Sequence, residues 1–287
     1  MFTMIAEILS IGTELLMGQI VNSDAQYLSR RLSELGIPVY RHVTVGDNPA
    51  RVKEAIAQSL ARADLVLTTG GLGPTEDDLT KEMLAETLGL PMVLDQASYE
   101  HIASFFKSLN RNMSENNKKQ AYFPQGAHIM PNRRGTAPGC IVRHGEKAIA
   151  VLPGPPSELQ DMYEQQLLPY LQKMSDRVMT SKFIRFIGIG ESEVETRLID
   201  LFHSDNPTLA LYCSLGEVMA RVTASCPLGG DPSPMIVEVE REIRARLGDK
   251  IYAEGLEQSM PRTVLDLMRA KGLTLSLAES CTGGMIA

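Results

Sequence analysis

The residues most able to do chemistry cluster in one loop, Thr69-Gly70-Gly71-Leu72-Gly73-Pro74-Thr75-Glu76-Asp77-Asp78. A strand running into Gly-Gly-x-Gly and then a helix aims backbone N–H groups and a positive dipole end at the carboxyl edge of a sheet. Gly70, Gly71 and Gly73 let phosphate oxygens come close and supply backbone angles that other residues resist. The run Glu76-Asp77-Asp78 sets three acids at this anion-friendly site, which calls for a divalent cation, magnesium or similar, between carboxylate and phosphate. Asp77 or Asp78 is the expected metal ligand. A structural role competes for Thr75 and Asp78, because their spacing also fits a capping box at a helix start.

Three further segments belong to the same chemistry if they share that sheet edge. Gly12-Thr13-Glu14 ends an apolar run and is followed by Asn22-Ser23-Asp24. Glu14 and Asp24 are candidate metal or ribose-hydroxyl partners, whereas Asn22 and Ser23 serve equally well as a helix cap. Gly135-Thr136-Ala137-Pro138-Gly139 and Pro153-Gly154-Pro155-Pro156 lie beside expected strand ends, as site walls or ordinary turns. Asn132, Arg133 and Arg134 suit phosphate contact or plain solvation; Lys118 and Lys119 read as solvated positions on a polar helix.

The elements needed to hold these loops are legible from periodicity. Residues 4–11 read as a buried strand, with Ala25, Leu28, Leu32 and Leu35 at helical spacing after it. Strand 39–45, a helix opening at Pro49, strand 64–69 and a helix over 79–88 follow, an alternation that predicts a doubly wound, mostly parallel α/β sheet. Helices near 96–109 and 114–122 precede a hairpin of 140–142 with 148–152. Ser157 and Gln160 predict a capping box for a helix through Leu168, ended near Pro169. From residue 181 the order becomes β-α-β-β-α-β, a small α+β unit, whose first helix is expected to be capped by Ser192 and Glu195. A last piece reads as helix 260–271, strand 273–277 and a glycine turn. The expected domains are 1–172, 178–255 and 258–287.

A net charge of −7 and a pI near 5.4 argue against a nucleic-acid partner, which needs a cationic footprint. No stretch reaches the apolar length of a membrane span, and the N-terminus lacks the positive region of a signal peptide. The four cysteines form no Cys-x-x-Cys pair and the five histidines no His-x-x-x-His pair. A reducing cytoplasm is therefore expected, without disulfide or zinc framework.

These motifs resemble one family. Gly12 to Ser23, Thr69 to Thr80, Lys119-Gln120-Ala121, Gly135 to Gly139 and Pro153 to Glu158 are similar, in order, to competence/damage-inducible CinA proteins, whose N-terminal domain looks like the molybdopterin-binding domain of molybdenum-cofactor biosynthesis. Residues 178–255 resemble the family's KH-like domain, although no Gly-x-x-Gly clamp is present and Gly188-Ile189-Gly190 is not one. Ala278 to Gly284 resembles the opening of a nicotinamide-mononucleotide amidase domain, with Ser280 at the nucleophile position; most of that domain is absent, so no amidase activity is expected. The resemblance implies metal-dependent hydrolysis of the ADP-ribose diphosphate, with Asp77, Asp78 and Glu14 as the catalytic acids, and a homodimer. Substrate contacts are expected from Gly70, Gly71, Gly73, Thr75, Asn22, Ser23, Asp24, Asn132, Gly135, Thr136, Pro153 and Gly154. Asp77 stands where the cofactor-synthesis enzymes carry arginine, which weighs against molybdopterin adenylylation. That transferase and a non-catalytic nucleotide-binding module are the alternatives.

Overall fold

Strand-forming apolar runs and amphipathic helices alternate through the first unit as the periodicity predicts. They are β1 (Ala6–Ile11), α1 (Thr13–Leu16), α2 (Ser23–Glu34), β2 (Val39–Val45), α3 (Pro49–Arg62), β3 (Leu65–Thr69), α4 (Thr80–Leu88), β4 (Met92–Leu94), α5 (Gln96–Ser108), β5 (Tyr122–Pro124), β6 (His128–Met130), β7 (Gly139–His144), β8 (Lys147–Leu152), α6 (Pro156–Met162) and α7 (Leu168–Met174). The computed structural model describes residues 4–174, 177–214 and 216–286, and the chain divides into two units, 1–176 and 177–287.

The six residues of β1 are all buried, so both faces of the sheet must be covered. Alternation along the strands does this. Ile8, Leu65, Leu67 and Ala150 pack under α2 and α6 through Leu28, Leu32, Leu159 and Met162. Leu9, Ile11, Val66, Ile149 and Val151 pack on the other side against Val52 and Ile56 of α3 and Met83 and Leu84 of α4. The sheet order is β2-β1-β3-β8-β7-β6; the first four strands are parallel, β7 runs antiparallel to them, and β6 pairs antiparallel with β7.

This order decides where the loops go. The chain winds from β1 to β2 on one side, then returns to β3 on the other, so β1 and β3 flank the switch point where open α/β sheets bind ligands. Ser10 pairs with Thr69, and Thr69 with Leu152. The loops after β1, β3 and β8 therefore leave the same edge side by side.

Several local expectations are corrected. α4 starts at Thr80 with Leu79 as an uncapped N-cap, so Thr75 and Asp78 close a turn before the helix instead of capping it. α6 starts at Pro156 and the first helix of the second unit at Glu191, neither with a side-chain cap, so the Ser157–Gln160 and Ser192–Glu195 boxes do not form. Pro169 does not end its helix: one wide π turn, Tyr163–Leu167, carries α6 into α7, and Pro169 follows directly after that turn. The stretch 115–121 is a 3₁₀ helix.

The second unit has β9 (Arg177–Ile187), α8 (Glu191–Leu198), β10 (Thr208–Ser214), β11 (Glu217–Pro227), α9 (Ser233–Leu247), β12 (Ile251–Glu254) and α10 (Met260–Ala270). Its antiparallel sheet, ordered β10-β11-β9-β12, is covered on one face by Val194, Leu198, Ile236, Ile243 and Leu247. The expected strand 273–277 is absent: Leu273, Leu275 and Leu277 are exposed and pair with no strand among the described residues, and α10 buries none of its side chains. No helix of the described residues is long and apolar enough to cross a membrane.

Candidate functional site

The strand-end loops enclose a cleft of about 730 Å³. Its floor is the glycine loop, and the reason for each glycine is close packing of the protein on itself. Gly70 has φ +90°, and a Cβ there would sit 2.2 Å from the Ile11 carbonyl oxygen. Gly71 has φ +68°, and its Cβ would sit 2.1 Å from Thr80 Oγ1, which donates to Gly70 O (2.8 Å). Gly154 lies against Gly70. The Gly70 amide is taken by Leu152 O (3.1 Å). Gly70, Gly71, Gly73, Pro153 and Gly154 all line the cleft.

The acid run forms a tight turn at one end. The Thr75 hydroxyl lies within hydrogen-bonding reach of both the Asp77 and Asp78 carboxylates, and the Thr75 amide donates to Asp78 Oδ2 (3.0 Å). One hydroxyl proton serves one carboxylate at a time, so two acids are held together under a single donor. The Thr75 hydrogen bond holds the Asp77 carboxyl below the usual range, helped by backbone donation and Lys119. Asp77 and Asp78 line the cleft, whereas Thr75 and Glu76 do not. Lys119, read as solvated, instead donates to Thr75 O (2.9 Å) and anchors the turn.

The first loop contributes from the β1 end. Glu14 lies over Gly12 and lines the cleft. Asn22 caps α2 by accepting from the Ala25 amide (3.0 Å) and donates to Ser10 Oγ (2.9 Å), so both ends of its side chain are engaged. Ser23 and Asp24 line the cleft as well. Asp24 is 8% exposed, and among the described residues its Oδ1 has no hydrogen-bond partner. Burial pushes its carboxyl up to about 6 from 3.8. The folded protein therefore binds this proton more tightly than the unfolded chain does. That stability is present below about pH 4 and is lost as pH rises through 6. Asp24→Asn is expected to raise the melting temperature by about 2–4 °C at pH 8 and to leave it unchanged near pH 4, measured by thermal melts across pH.

Asn132 and Gly135 do not line the cleft; they shape the loop that does. Asn132 is buried, donates to Ala137 O (3.0 Å) and Glu158 Oε2 (2.6 Å), and accepts from the amides of Arg134 (2.9 Å) and Gly135 (2.8 Å). Glu158 in turn lies over Gly135, where a Cβ would meet Oε2 at 2.4 Å. Thr136 and Glu158 face the cleft. Asn132→Ala strands these partners and is expected to cost about 2–3 kcal/mol, read by chemical denaturation. Arg134 pairs with Asp161 (3.3 Å), and Arg133 is exposed. Ser280 belongs to the second unit, exposed in a turn folded about the Glu279 carboxylate, which accepts from the Gly284 and Ile286 amides.

Asp47, Glu158 and Gln120 line the cleft and were not singled out as site residues by sequence reasoning. Asp47 follows β2 and accepts from the Thr13 amide (3.0 Å). Its signal was the polar turn Gly46-Asp47-Asn48 at a strand end. Together Glu14, Asp24, Asp47, Asp77, Asp78 and Glu158 put six carboxylates on the cleft and, among the described residues, no Lys, Arg or His.

A family model described as "Probable molybdopterin binding domain" matches residues 7–173, and one described as "Damage-inducible protein CinA KH domain" matches 181–253. A CinA-like protein of Dictyoglomus turgidum is 51% identical over 281 residues, covering 98% of this chain and 68% of the relative. The chain belongs to the CinA family. Another CinA-like protein, from Kosmotoga olearia, is 46% identical over 283 residues, again covering 98% of the chain and 68% of the relative. Among solved structures, a CinA protein of unknown function from Thermoplasma acidophilum is similar with TM-score 0.54 and 30% identity, covering 58% of this chain and 98% of that one. The cleft thus lies within the molybdopterin-binding-like fold that this CinA-family chain shares with that structure.

Proposed function

We propose that the cleft hydrolyses the diphosphate of ADP-ribose or a closely similar nucleotide, and that it does so with a divalent metal ion. The charge of the cleft carries this reading. Six carboxylates with no cationic side chain repel a diphosphate, so such a substrate enters only with its charge neutralised. The residues fit a magnesium-like ion: such ions take one or two carboxylates, several waters and the substrate's own phosphates. Asp77 and Asp78, gathered under one hydroxyl, offer that pair, although no three His, Cys, Asp or Glu side chains converge as a metal cage among the described residues. Bound there, the ion would supply Lewis acidity to the phosphoryl oxygens and acidify water.

The chain's own residues supply position and proton acceptors. The Gly70 amide is already taken by Leu152 O, so the amides of Gly71 to Gly73, which have no main-chain acceptor among the described residues, would be the ones to donate to phosphate oxygens. Asp77, held ionised by its hydrogen bonds, keeps its charge for the ion, and Glu14 provides a carboxylate at the cleft wall to accept the proton of the attacking water. Holding the diphosphate between glycine loop and acids supplies the positioning on which phosphoryl transfer depends. The test is incubation with ADP-ribose and magnesium, manganese or cobalt, with AMP and ribose 5-phosphate quantified. Absence of AMP with every ion ends the hydrolase reading, and ATP consumption that depends on added molybdopterin points to adenylyl transfer.

A further inference from the structure

Lys81 stands where its local surroundings oppose it. It is 3% exposed, forms no ion pair among the described residues, and lies in the first turn of α4, where the helix dipole disfavours a cation. Burial pushes its ammonium down to about 8. Two contacts offset part of the cost. The ammonium lies 4.2 Å from the centre of the Phe123 ring and donates to Gln120 O (2.6 Å). A methionine, of similar length, would pack on that ring with no charge to bury, so packing does not call for lysine. The hydrogen bond does.

That bond leads back to the cleft through the 3₁₀ helix 115–121, a short element with weak internal hydrogen bonds of its own. Gln120 Nε2 donates to Leu72 O (3.2 Å), and Lys119 beside it donates to Thr75 O (2.9 Å). Leu72 belongs to the glycine loop, and Thr75 heads the turn that gathers Asp77 and Asp78. Next to Lys81 in the chain, Thr80 holds the same loop directly: its hydroxyl donates to Gly70 O (2.8 Å) and its amide to Gly71 O (3.2 Å). The first two residues of α4 thus grip the loop from two sides, Thr80 by contact and Lys81 by way of Gln120 and Lys119. We infer that Lys81 is a positioning residue, whose ammonium fixes the 3₁₀ helix against the glycine loop and so sets where Asp77 and Asp78 stand in the cleft. Lys81 does not itself line the cleft. Its effect on turnover rests on the hydrolase reading; its effect on the loop does not.

A positioning role and a plain structural role part company in Lys81→Met. At pH 7 the variant is expected to melt within about 3 °C of the parent, because relief of a buried charge offsets the lost hydrogen bond. Hydrogen exchange read by mass spectrometry should nevertheless rise about 10- to 100-fold over residues 70–80 and 115–122, the range for one hydrogen bond from a charged group, and stay unchanged over the rest of the first unit. With ADP-ribose and magnesium, kcat should fall about 10- to 100-fold while KM moves by less than about threefold, since position is lost and binding is not. In a Lys119→Met background the same substitution should cost much less, because the two lysines act on one segment. A melting drop of about 10 °C with exchange raised throughout the unit would make Lys81 a core residue and no more, and overturn the inference. Unchanged exchange over 70–80, an unchanged kcat in a protein that cleaves ADP-ribose, or fully additive losses with Lys119→Met would overturn it as well. If the exchange result holds and the unaltered protein cleaves no ADP-ribose with any ion, the positioning stands and the hydrolase reading has failed.

Discussion

Asp78→Asn is expected to lower ADP-ribose hydrolysis by roughly 10²- to 10³-fold, and chelation of divalent ions to lower it at least as far. The substitution separates the two jobs of this side chain. Asparagine retains an oxygen to accept from the Thr75 amide, the 3.0 Å bond that closes the turn, but loses the negative charge. Steady-state kinetics over a magnesium titration distinguishes the roles: a charge role raises the metal concentration needed for half-maximal rate as well as lowering kcat. Should turnover and metal dependence both survive, Asp78 merely closes its turn. Thr75→Val is the companion variant. It removes the hydroxyl shared by Asp77 and Asp78 and keeps both charges, so the Asp77 carboxyl relaxes upward towards the ordinary range and a smaller loss, roughly tenfold, is expected.

Gly70→Ala should be the most damaging single methyl in the first unit. The backbone angle of +90° already disfavours any side chain, and the added carbon would stand 2.2 Å from a main-chain oxygen of β1, which cannot swing aside. Because β1 and β3 are adjacent hydrogen-bonded strands, relief requires parting the strand ends at the switch point. A loss of about 3–4 kcal/mol is expected, with a melting-temperature drop of roughly 10 °C. Gly145→Ala is the control. That glycine also has positive φ (+61°), but nothing lies within 4 Å of its added carbon, so only the conformational cost of about 1 kcal/mol applies. Similar losses at both positions would show that backbone angle, not the approach of β1, fixes Gly70.

The strands and helices that build the first unit were legible because their signals are local. β3 is a five-residue apolar run bounded by Asp64 and Gly70, and α2 carries both its cap at Asn22 and its buried stripe of Ala25, Leu28 and Leu32. The acid run was legible for the same reason. Other features depend on partners distant in sequence. The glycines read as room for a phosphate, yet Gly70 and Gly71 are required first by Ile11 and Thr80. Asp47 and Glu158 look alone like a turn residue and a first-turn helix acid, and only the strand order brings them to one cleft. Asn132 reads as a polar loop residue, but its role is fixed by four hydrogen bonds to loop and helix atoms. Leu273 to Leu277 have strand composition but pair with no strand among the described residues, and propensity alone does not make a ladder.

The strand order has one more consequence, for the birth of the molecule. The cleft draws on segments as far apart as Gly12 and Glu158, and β8, the strand that carries Pro153 and Gly154 to it, inserts beside β3 late in the chain. A nascent chain that has made the glycine loop and its acids still has no chamber to put them in. The cleft therefore arrives in one step with the closing of the sheet, and any ligand held there rewards only the finished fold.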